Sequence, residues 1–410
     1  MAIRSLSSLH ISPGDVVLVR VDYNVAIKNK KVVEDEKIRA SIPTIHALQQ
    51  KGAKVLLVSH LGRPESKIDV QYSLEPVRKV LEKILSYKVI KVESYKVVSS
   101  SKEVIFDIPS IRVQIEKMNA GDVALFENIR FAKGEERNDR AFAKTLASFA
   151  NAFVLDGFAV SHRDSASVSG VAQYLPAYAG VLLEREVKSL GQVMEKPKKP
   201  FCLVLGGVKM ETKIPVLKKL LPKTQSVLLG GGVANTYFAA RGYGVGKSVI
   251  DSAYTKEIVR YAKQKKVVLP VDVVVGTPDG KQYRVVSIEK KPHQICKRGE
   301  MILDLGPVTL LHYATYIQAA KTIVWNGGMG YMEVKPYDVG TLTVARLVAG
   351  RSRGQAYGVV GGGETITALS QTKMSQYVDV VSTGGGAMLE FLSGKQLPGV
   401  KVVTKKWYHR

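Results

Sequence analysis

Five times in the second half of the chain a short apolar run stops at a cluster of glycines: Leu203-Val204-Leu205-Gly206-Gly207, Val227-Leu228-Leu229-Gly230-Gly231-Gly232, Ile323-Val324-Trp325-Asn326-Gly327-Gly328, Val359-Val360-Gly361-Gly362-Gly363 and Val380-Val381-Ser382-Thr383-Gly384-Gly385-Gly386. Unbroken β-branched and leucine runs of this length are how strands buried on both faces of a parallel sheet read. Glycine after such a strand lets backbone N–H groups come close to a phosphate with no Cβ in the way. A single cluster is an ordinary turn; five at the same end of strand-like runs predict a nucleotide cradle.

The first half ends its runs differently. Val16 to Val21 leads into Asp22-Tyr23-Asn24, and Val55 to Val58 into Ser59-His60-Leu61-Gly62-Arg63. Val123 to Phe126 leads into Glu127-Asn128-Ile129-Arg130, and Phe153 to Leu155 into Asp156-Gly157-Phe158, with His162-Arg163 close behind. Ligands of open α/β sheets sit outside the carboxyl ends of the strands, so Arg63, Arg130, Arg163, His60 and His162 are expected to converge on one anion site. The guanidinium fork suits carboxylate and phosphate alike. His162 alone reads equally well as a packed core histidine.

With 410 residues, 45% hydrophobic and 23% charged, the chain is long enough for two or three domains. Its net charge of +24 would attract polyanions of any kind. The basic residues are spread along the sequence and aromatics are only 7%, so the footprint of a nucleic-acid-binding protein is missing. Cys202 and Cys296 lie far apart and suggest neither a disulfide framework nor a zinc site. No run approaches the ~18 apolar residues of a membrane span, and the N-terminus has no long apolar segment. A cytoplasmic location with no membrane partner is expected, as monomer or homodimer.

Strand-like runs alternate with helical patterns throughout, for example Ile38, Ile42, Ile45 and Leu48 between the first two runs. The expected division is an N-terminal domain at 1–182, a helix at 183–198 and a C-terminal domain at 199–394, with a tail at 395–410 packing back on the first domain. Leu183, Val187, Leu190 and Met194 make the apolar stripe of that helix, which Pro197-Lys198-Lys199-Pro200 ends. By pattern alone it reads equally as another crossover helix. Two nucleotide motifs fail their context tests. Gly244-Val245-Gly246-Lys247-Ser248 looks like the end of a Walker loop, but Arg241 occupies the place of the required first glycine. No G-x-G-x-x-G opens a helix after any of the glycine-ended runs.

Eight segments in order resemble the signatures of the phosphoglycerate kinase family: Arg20-Val21-Asp22-Tyr23-Asn24, Ser59-His60-Leu61-Gly62-Arg63-Pro64, Phe126-Glu127-Asn128-Ile129-Arg130-Phe131, Leu205-Gly206-Gly207-Val208-Lys209, Gly230-Gly231-Gly232-Val233-Ala234-Asn235-Thr236, Trp325-Asn326-Gly327, Gly361-Gly362-Gly363-Glu364-Thr365 and Ser382-Thr383-Gly384-Gly385-Gly386-Ala387. The resemblance implies an α/β fold of two Rossmann-like lobes, each a parallel sheet flanked by helices, joined by a helix and a hinge. It implies reversible Mg²⁺-dependent transfer between 1,3-bisphosphoglycerate and ADP, giving 3-phosphoglycerate and ATP, in a cleft closed by hinge bending. Carried over by position, Asp22, Asn24, His60, Arg63, Arg130, His162 and Arg163 hold the phosphoglycerate. Lys213, Gly361, Gly362 and Gly363 hold nucleotide phosphates, Glu333 the ribose, and Lys209 with Asn326 lies near the transferring group. Gly207, Gly231, Thr365, Gly384 and Gly385 complete the nucleotide site, and Glu364 faces Mg²⁺.

The chain departs from the family pattern in places. Lys37 stands where the family has an arginine that contacts the transferred group, so either Lys37 takes that role or Arg39 moves in. Glu364 replaces the usual aspartate and Gly328 the usual proline. The segment from Asp156 to Arg163 differs in its small residues.

Overall fold

The computed structural model describes residues 2–98, 104–288 and 294–405. The chain divides into two compact units, Met1–Lys188 with Gln396–Arg410, and Ser189–Lys395. Residues 406–410 of the expected tail lie outside the described residues.

The first unit is built on a six-stranded sheet in the order Ala177–Ala179, Ala152–Leu155, Val16–Arg20, Lys54–Val58, Val123–Phe126, Ile90–Val92, every pair parallel. All its strands but Ile90–Val92 are buried on both faces, as their unbroken apolar runs require: Leu18 and Val19, Leu56 and Leu57, Phe153 and Val154 are buried. Helix Glu36–Gln50 lays Ile38, Ile45 and Leu48 into the same core. After Val16–Arg20 the chain adds strands on one side of it, then returns to the other side with Ala152–Leu155. That is the switch point at which open sheets bind ligands. Arg20, His60, Arg130 and Asp156 all follow or close strands at this carboxyl edge.

The second unit carries six parallel strands in the order Val267–Val268, Ser226–Leu229, Phe201–Leu205, Thr322–Asn326, Tyr357–Gly361, Val380–Ser382. The order of the strands along the chain is that of a dinucleotide-binding Rossmann sheet, with its switch point between Phe201–Leu205 and Thr322–Asn326. All five glycine-ended runs are strands here. Helices Gly231–Ala240, Gly363–Gln371 and Gly385–Leu392 start directly from their glycines. The Walker-like segment follows the end of helix Gly231–Ala240 rather than a strand. An antiparallel trio, Asp272–Gly276 between Tyr283–Ser287 and Met301–Leu305, was not expected from the alternating pattern. Its turn signal, Pro278-Asp279-Gly280, is present in the sequence.

The stripe of Leu183, Val187 and Leu190 belongs to helix Val181–Glu195. Asp156 fastens its start, accepting from Thr44 Oγ1 at 2.8 Å and from the Leu182 amide at 3.0 Å through the same oxygen. The other oxygen is buried without a hydrogen-bond partner. Burial pushes this carboxyl up to about 7, against the opposing pull of its hydrogen bonds. The folded state therefore holds a proton that the unfolded chain, near the ordinary 3.8, releases earlier. Stability from this group is complete below the unfolded value and is lost as pH rises through about 7. Asp156→Asn, which keeps the accepting oxygen, should flatten that fall in urea-unfolding free energy between pH 4 and 8. An unchanged pH slope would contradict the assignment.

Candidate active site

In the first unit the strand ends gather cations around one histidine. His60 is buried, with Arg20 Nη2 at 3.2 Å from its Nδ1. Burial drives its pKa well below 6.5, and the charges of Arg20, Arg130, Arg163 and Lys37 add to that push. His60 is therefore neutral at physiological pH. With Nδ1 accepting from Arg20, Nε2 carries the proton and is the donor left for a ligand. Arg20 is itself held by Ser167 Oγ at 2.8 Å and donates to the Val21 carbonyl. Behind it Glu135, also buried, accepts from Ser165 Oγ, Ser167 Oγ and the Ser167 amide at 2.7, 2.6 and 2.9 Å.

Asp22 ties the near side together. Its Oδ2 receives Lys37 Nζ at 2.8 Å, and Lys37 also reaches the Asn24 carbonyl at 3.0 Å. Asn24 Oδ1 accepts from the Gly62 amide at 3.0 Å, while the Gly62 carbonyl accepts from Arg130 Nη1 at 2.6 Å. Gly62 has φ +58°, and a Cβ there would meet the Tyr72 ring at 2.4 Å, so only glycine makes this link. Arg130 is buried, and its proton is loosened by burial and by the charges of Arg163 and Arg63. The structure thus brings together Asp22, Asn24, His60, Arg63, Arg130, Arg163 and Lys37. Half-buried His162 sits directly before Arg163. Arg39 does not join them; its guanidinium pairs with Asp35 at 2.8 Å on the exposed helix surface.

In the second unit the strand ends at the switch point cross by backbone alone. The Gly206 amide donates to the Asn326 carbonyl at 3.0 Å and the Gly207 amide to the Gly328 carbonyl at 2.7 Å. A Cβ on Gly206 would lie 2.2 Å from the Gly328 oxygen, and Gly327, at φ +90°, is equally crowded. This crossing floors a cavity of about 410 Å³, within the range of small-molecule sites. Gly207, Gly231, Glu333 and Glu364 line it, with Met329, Tyr331 and Asp304.

Beside the cavity buried Lys213 donates to Asn326 Oδ1, and Asn326 Nδ2 donates to the Gly361 carbonyl. Burial lowers the Lys213 ammonium to about 8, partly offset by the charge of Glu364. Thr365 Oγ1 closes on the Gly362 carbonyl at 2.8 Å. A Cβ on Gly385 would come within 3.0 Å of Gly362 Cα, so the loops of Gly361 to Gly363 and Gly384 to Gly385 lie against each other. Exposed Lys209 directly precedes helix Met210–Leu220 at the end of the first glycine loop, its side chain making no capping hydrogen bond. Among the described residues no group of three or more His, Cys, Asp or Glu side chains is set to hold a metal. A cation shared with nucleotide phosphates needs only one or two carboxylates, and Glu364 is one of the carboxylates that line the cavity.

Arg20, Glu135 and Ser167 did not stand out as site residues in the sequence. The signal for Arg20 was available: it is the one charged residue in the run Val16-Val17-Leu18-Val19-Arg20-Val21 and lies on the same strand face as Asp22.

Fixed positive charge and backbone-lined space are what phosphoryl transfer asks of a protein, which places the chain among the kinases. The profile of the phosphoglycerate kinase family matches residues 9–395. Phosphoglycerate kinase of Pelotomaculum thermopropionicum is 40% identical over 400 residues, 96% of this chain and 97% of that one. That of Borreliella afzelii is 40% identical over 410 residues, covering 99% and 100%. The solved phosphoglycerate kinase of Coxiella burnetii superposes with a TM-score of 0.81 at 37% identity, covering 98% of this chain and 99% of that one. The Pyrococcus horikoshii enzyme gives 0.82 at 27%, covering 99% and 100%. The chain belongs to the phosphoglycerate kinase family. It is a transferase for reversible phosphoryl exchange between 1,3-bisphosphoglycerate and ADP, yielding 3-phosphoglycerate and ATP.

The neutral state of His60 depends in part on Arg20. In Arg20→Met the burial remains and one repelling charge goes, so the His60 pKa followed by NMR should move up toward 6.5. An unmoved titration would show that Arg20 does not set it.

Proposed function

We propose that the first unit binds 3-phosphoglycerate and its acyl phosphate through the cations around His60, and the second binds the adenine nucleotide in the glycine-lined cavity. The observation that carries this is the concentration of Arg20, Arg130, Arg163 and Lys37 at one strand edge, where their mutual repulsion is eased by few carboxylates. An anion with a phosphate at one end and a carboxyl at the other relieves it. Arg63, Arg130, Arg163 and His162 take the 3-phosphate; Asp22 and Asn24 orient the hydroxyl-bearing carbons, and His60 donates through Nε2. Lys213, Lys209 and the amides of Gly361 to Gly363 stabilise the nucleotide's terminal phosphates, and Glu333 holds the ribose. Thr365, Gly384 and Gly385 support that loop.

Glu364 would hold Mg²⁺ with phosphate oxygens, where the ion neutralises charge on the group in transit. No general base is required, since the acceptor is a carboxylate or an ADP oxygen. Transfer is in line, so the two ligands have to meet; hinge motion that excludes water is part of this reading. Free Cys202 and Cys296 support a reducing, cytoplasmic setting.

Lys37 is the group we assign to the transferring phosphoryl, because it already sits on Asp22 at 2.8 Å while Arg39 is committed to Asp35. Lys37→Ala should lower kcat by about 10³-fold, within the span seen when a cation at such a transition state is lost. Arg39→Ala, an exposed surface change, should stay within about 2-fold. The reverse ranking would move the role to Arg39. A coupled assay with ATP, Mg²⁺ and 3-phosphoglycerate should show turnover that acetate and glutamate do not support.

The lowered Lys213 adds a pH test. As pH rises through about 8 its charge is lost and its hold on phosphate weakens. kcat/KM for nucleotide, which reports the free enzyme, should fall above that pH, and Lys213→Arg should move the fall to higher pH. A limb identical in both proteins would assign it elsewhere.

A further inference from the structure

Glu135, Ser167, Arg20 and His60 form a row of buried groups behind the anion site, and each contact along it has one sense. A guanidinium only donates, so Arg20 Nε gives its proton to Ser167 Oγ at 2.8 Å. The single hydroxyl proton of Ser167 then goes to Glu135 Oε1 at 2.6 Å, which leaves a lone pair turned toward Arg20. At the other end Arg20 Nη2 donates to His60 Nδ1 at 3.2 Å. Burial works against the charge of Arg20, and the carboxylates of Glu135 and Asp22 oppose it.

The same ring nitrogen also faces Asp22, whose Oδ1 lies 3.8 Å away. The two neighbours ask for opposite forms of the neutral ring: Arg20 needs a bare Nδ1, whereas a carboxylate favours Nδ1–H. The shorter contact is that of Arg20. It lasts only while the guanidinium keeps its place, and the acceptors that keep it there are Ser167 Oγ and the Val21 carbonyl.

Ser167 itself cannot drift. It sits in a wide helical turn, Ala166–Gly170, in which the Ser165 carbonyl takes the amides of Val168, Ser169 and Gly170. Turns of this π type are rare and recur at functional sites. Glu135 clamps the turn from one side, its carboxylate on Ser165 and Ser167 and its carbonyl on the Ala166 amide at 3.0 Å. Gly399 backs it: a Cβ there would meet Val168 Cγ1 and Ser161 Cα at 2.9 Å, and the Gly399 amide donates to the Ser161 carbonyl at 2.8 Å. A turn enclosed at this density does not shift to replace a missing hydroxyl.

We propose that Ser167 is a positioning residue for the substrate: its hydroxyl, aimed by Glu135, anchors Arg20, and Arg20 so anchored holds neutral His60 in the Nε2–H form against the pull of Asp22. Ser167 acts through Arg20 and His60 rather than on the ligand. The proposal rests on the reading of His60 as a donor to phosphoglycerate through Nε2, and the test separates the two.

The full chain and Ser167→Ala are compared by NMR of the His60 ring nitrogens, which shows which of them carries the proton, and by calorimetric titration with 3-phosphoglycerate and with ADP. Thermal unfolding checks the fold. The parent should show a bare Nδ1 and a protonated Nε2. In Ser167→Ala an Nδ1–H population should appear, and 3-phosphoglycerate affinity should fall by about 10-fold or more, the scale of a lost hydrogen bond to a charged group. ADP affinity should stay at the parent value. A ring still wholly Nε2–H in Ser167→Ala would overturn the proposal whatever happens to binding, because a loss of affinity would then come from packing. An Nδ1–H population with undiminished 3-phosphoglycerate affinity would instead refute donation through Nε2, and the role of Ser167 toward the substrate falls with that reading. Should Ser167→Ala not fold, Ser167→Cys, whose sulfur is only a weak acceptor, is read by the same two measurements.

Discussion

Positive charge held out of water is the constraint on which the first unit is organised. Arg20 and Arg130 are buried, and the charges of Arg163 and Lys37 bear on the same histidine. Unpaired charge in such a place is expensive, and the chain meets that demand only in part. Asp22 answers Lys37, Glu136 answers Arg130 at 3.1 Å, and Glu135 acts on Arg20 through the Ser167 hydroxyl. The remaining field is available to a small anion. The fold makes this possible because every strand of a parallel sheet delivers its carboxyl end to one edge, so residues from Arg20 to Arg163 meet without long loops.

The second unit is organised by its backbone instead. Its switch point is crossed by glycines whose amides and carbonyls pair directly, with the side chains of Lys213, Asn326 and Glu364 beside them. Lys213 illustrates the balance: burial drives its ammonium down to about 8 while Glu364 draws it back.

Much of this was legible in the sequence, for physical reasons. Strands buried on both faces must be continuous apolar runs, so the parallel strands and their glycine or basic endings could be read directly. Strand order could not, since nothing in an isolated run records its neighbours. The antiparallel trio was hidden by the short strand Val267–Val268 just ahead of it, which blurs the alternation. The choice between Lys37 and Arg39 was open because both lie in one helical turn; two residues put side chains about 200° apart, so only one can face the site. Lys37 pairs with Asp22 and Arg39 with Asp35, which is the ground on which we propose Lys37. Glu135 sits in a loop with no periodicity, and its use of Ser165 and Ser167 emerges only when the chain returns some thirty residues later.

The central claim is that charge on the first unit selects a phosphorylated acid independently of the nucleotide. Calorimetric titration of Arg130→Met with each ligand tests it most directly. The account predicts that 3-phosphoglycerate affinity falls by about 10-fold or more, the scale of lost charge-assisted bonds, while the affinity for ADP stays at the parent value. Undiminished binding of 3-phosphoglycerate together with weakened binding of ADP would contradict it.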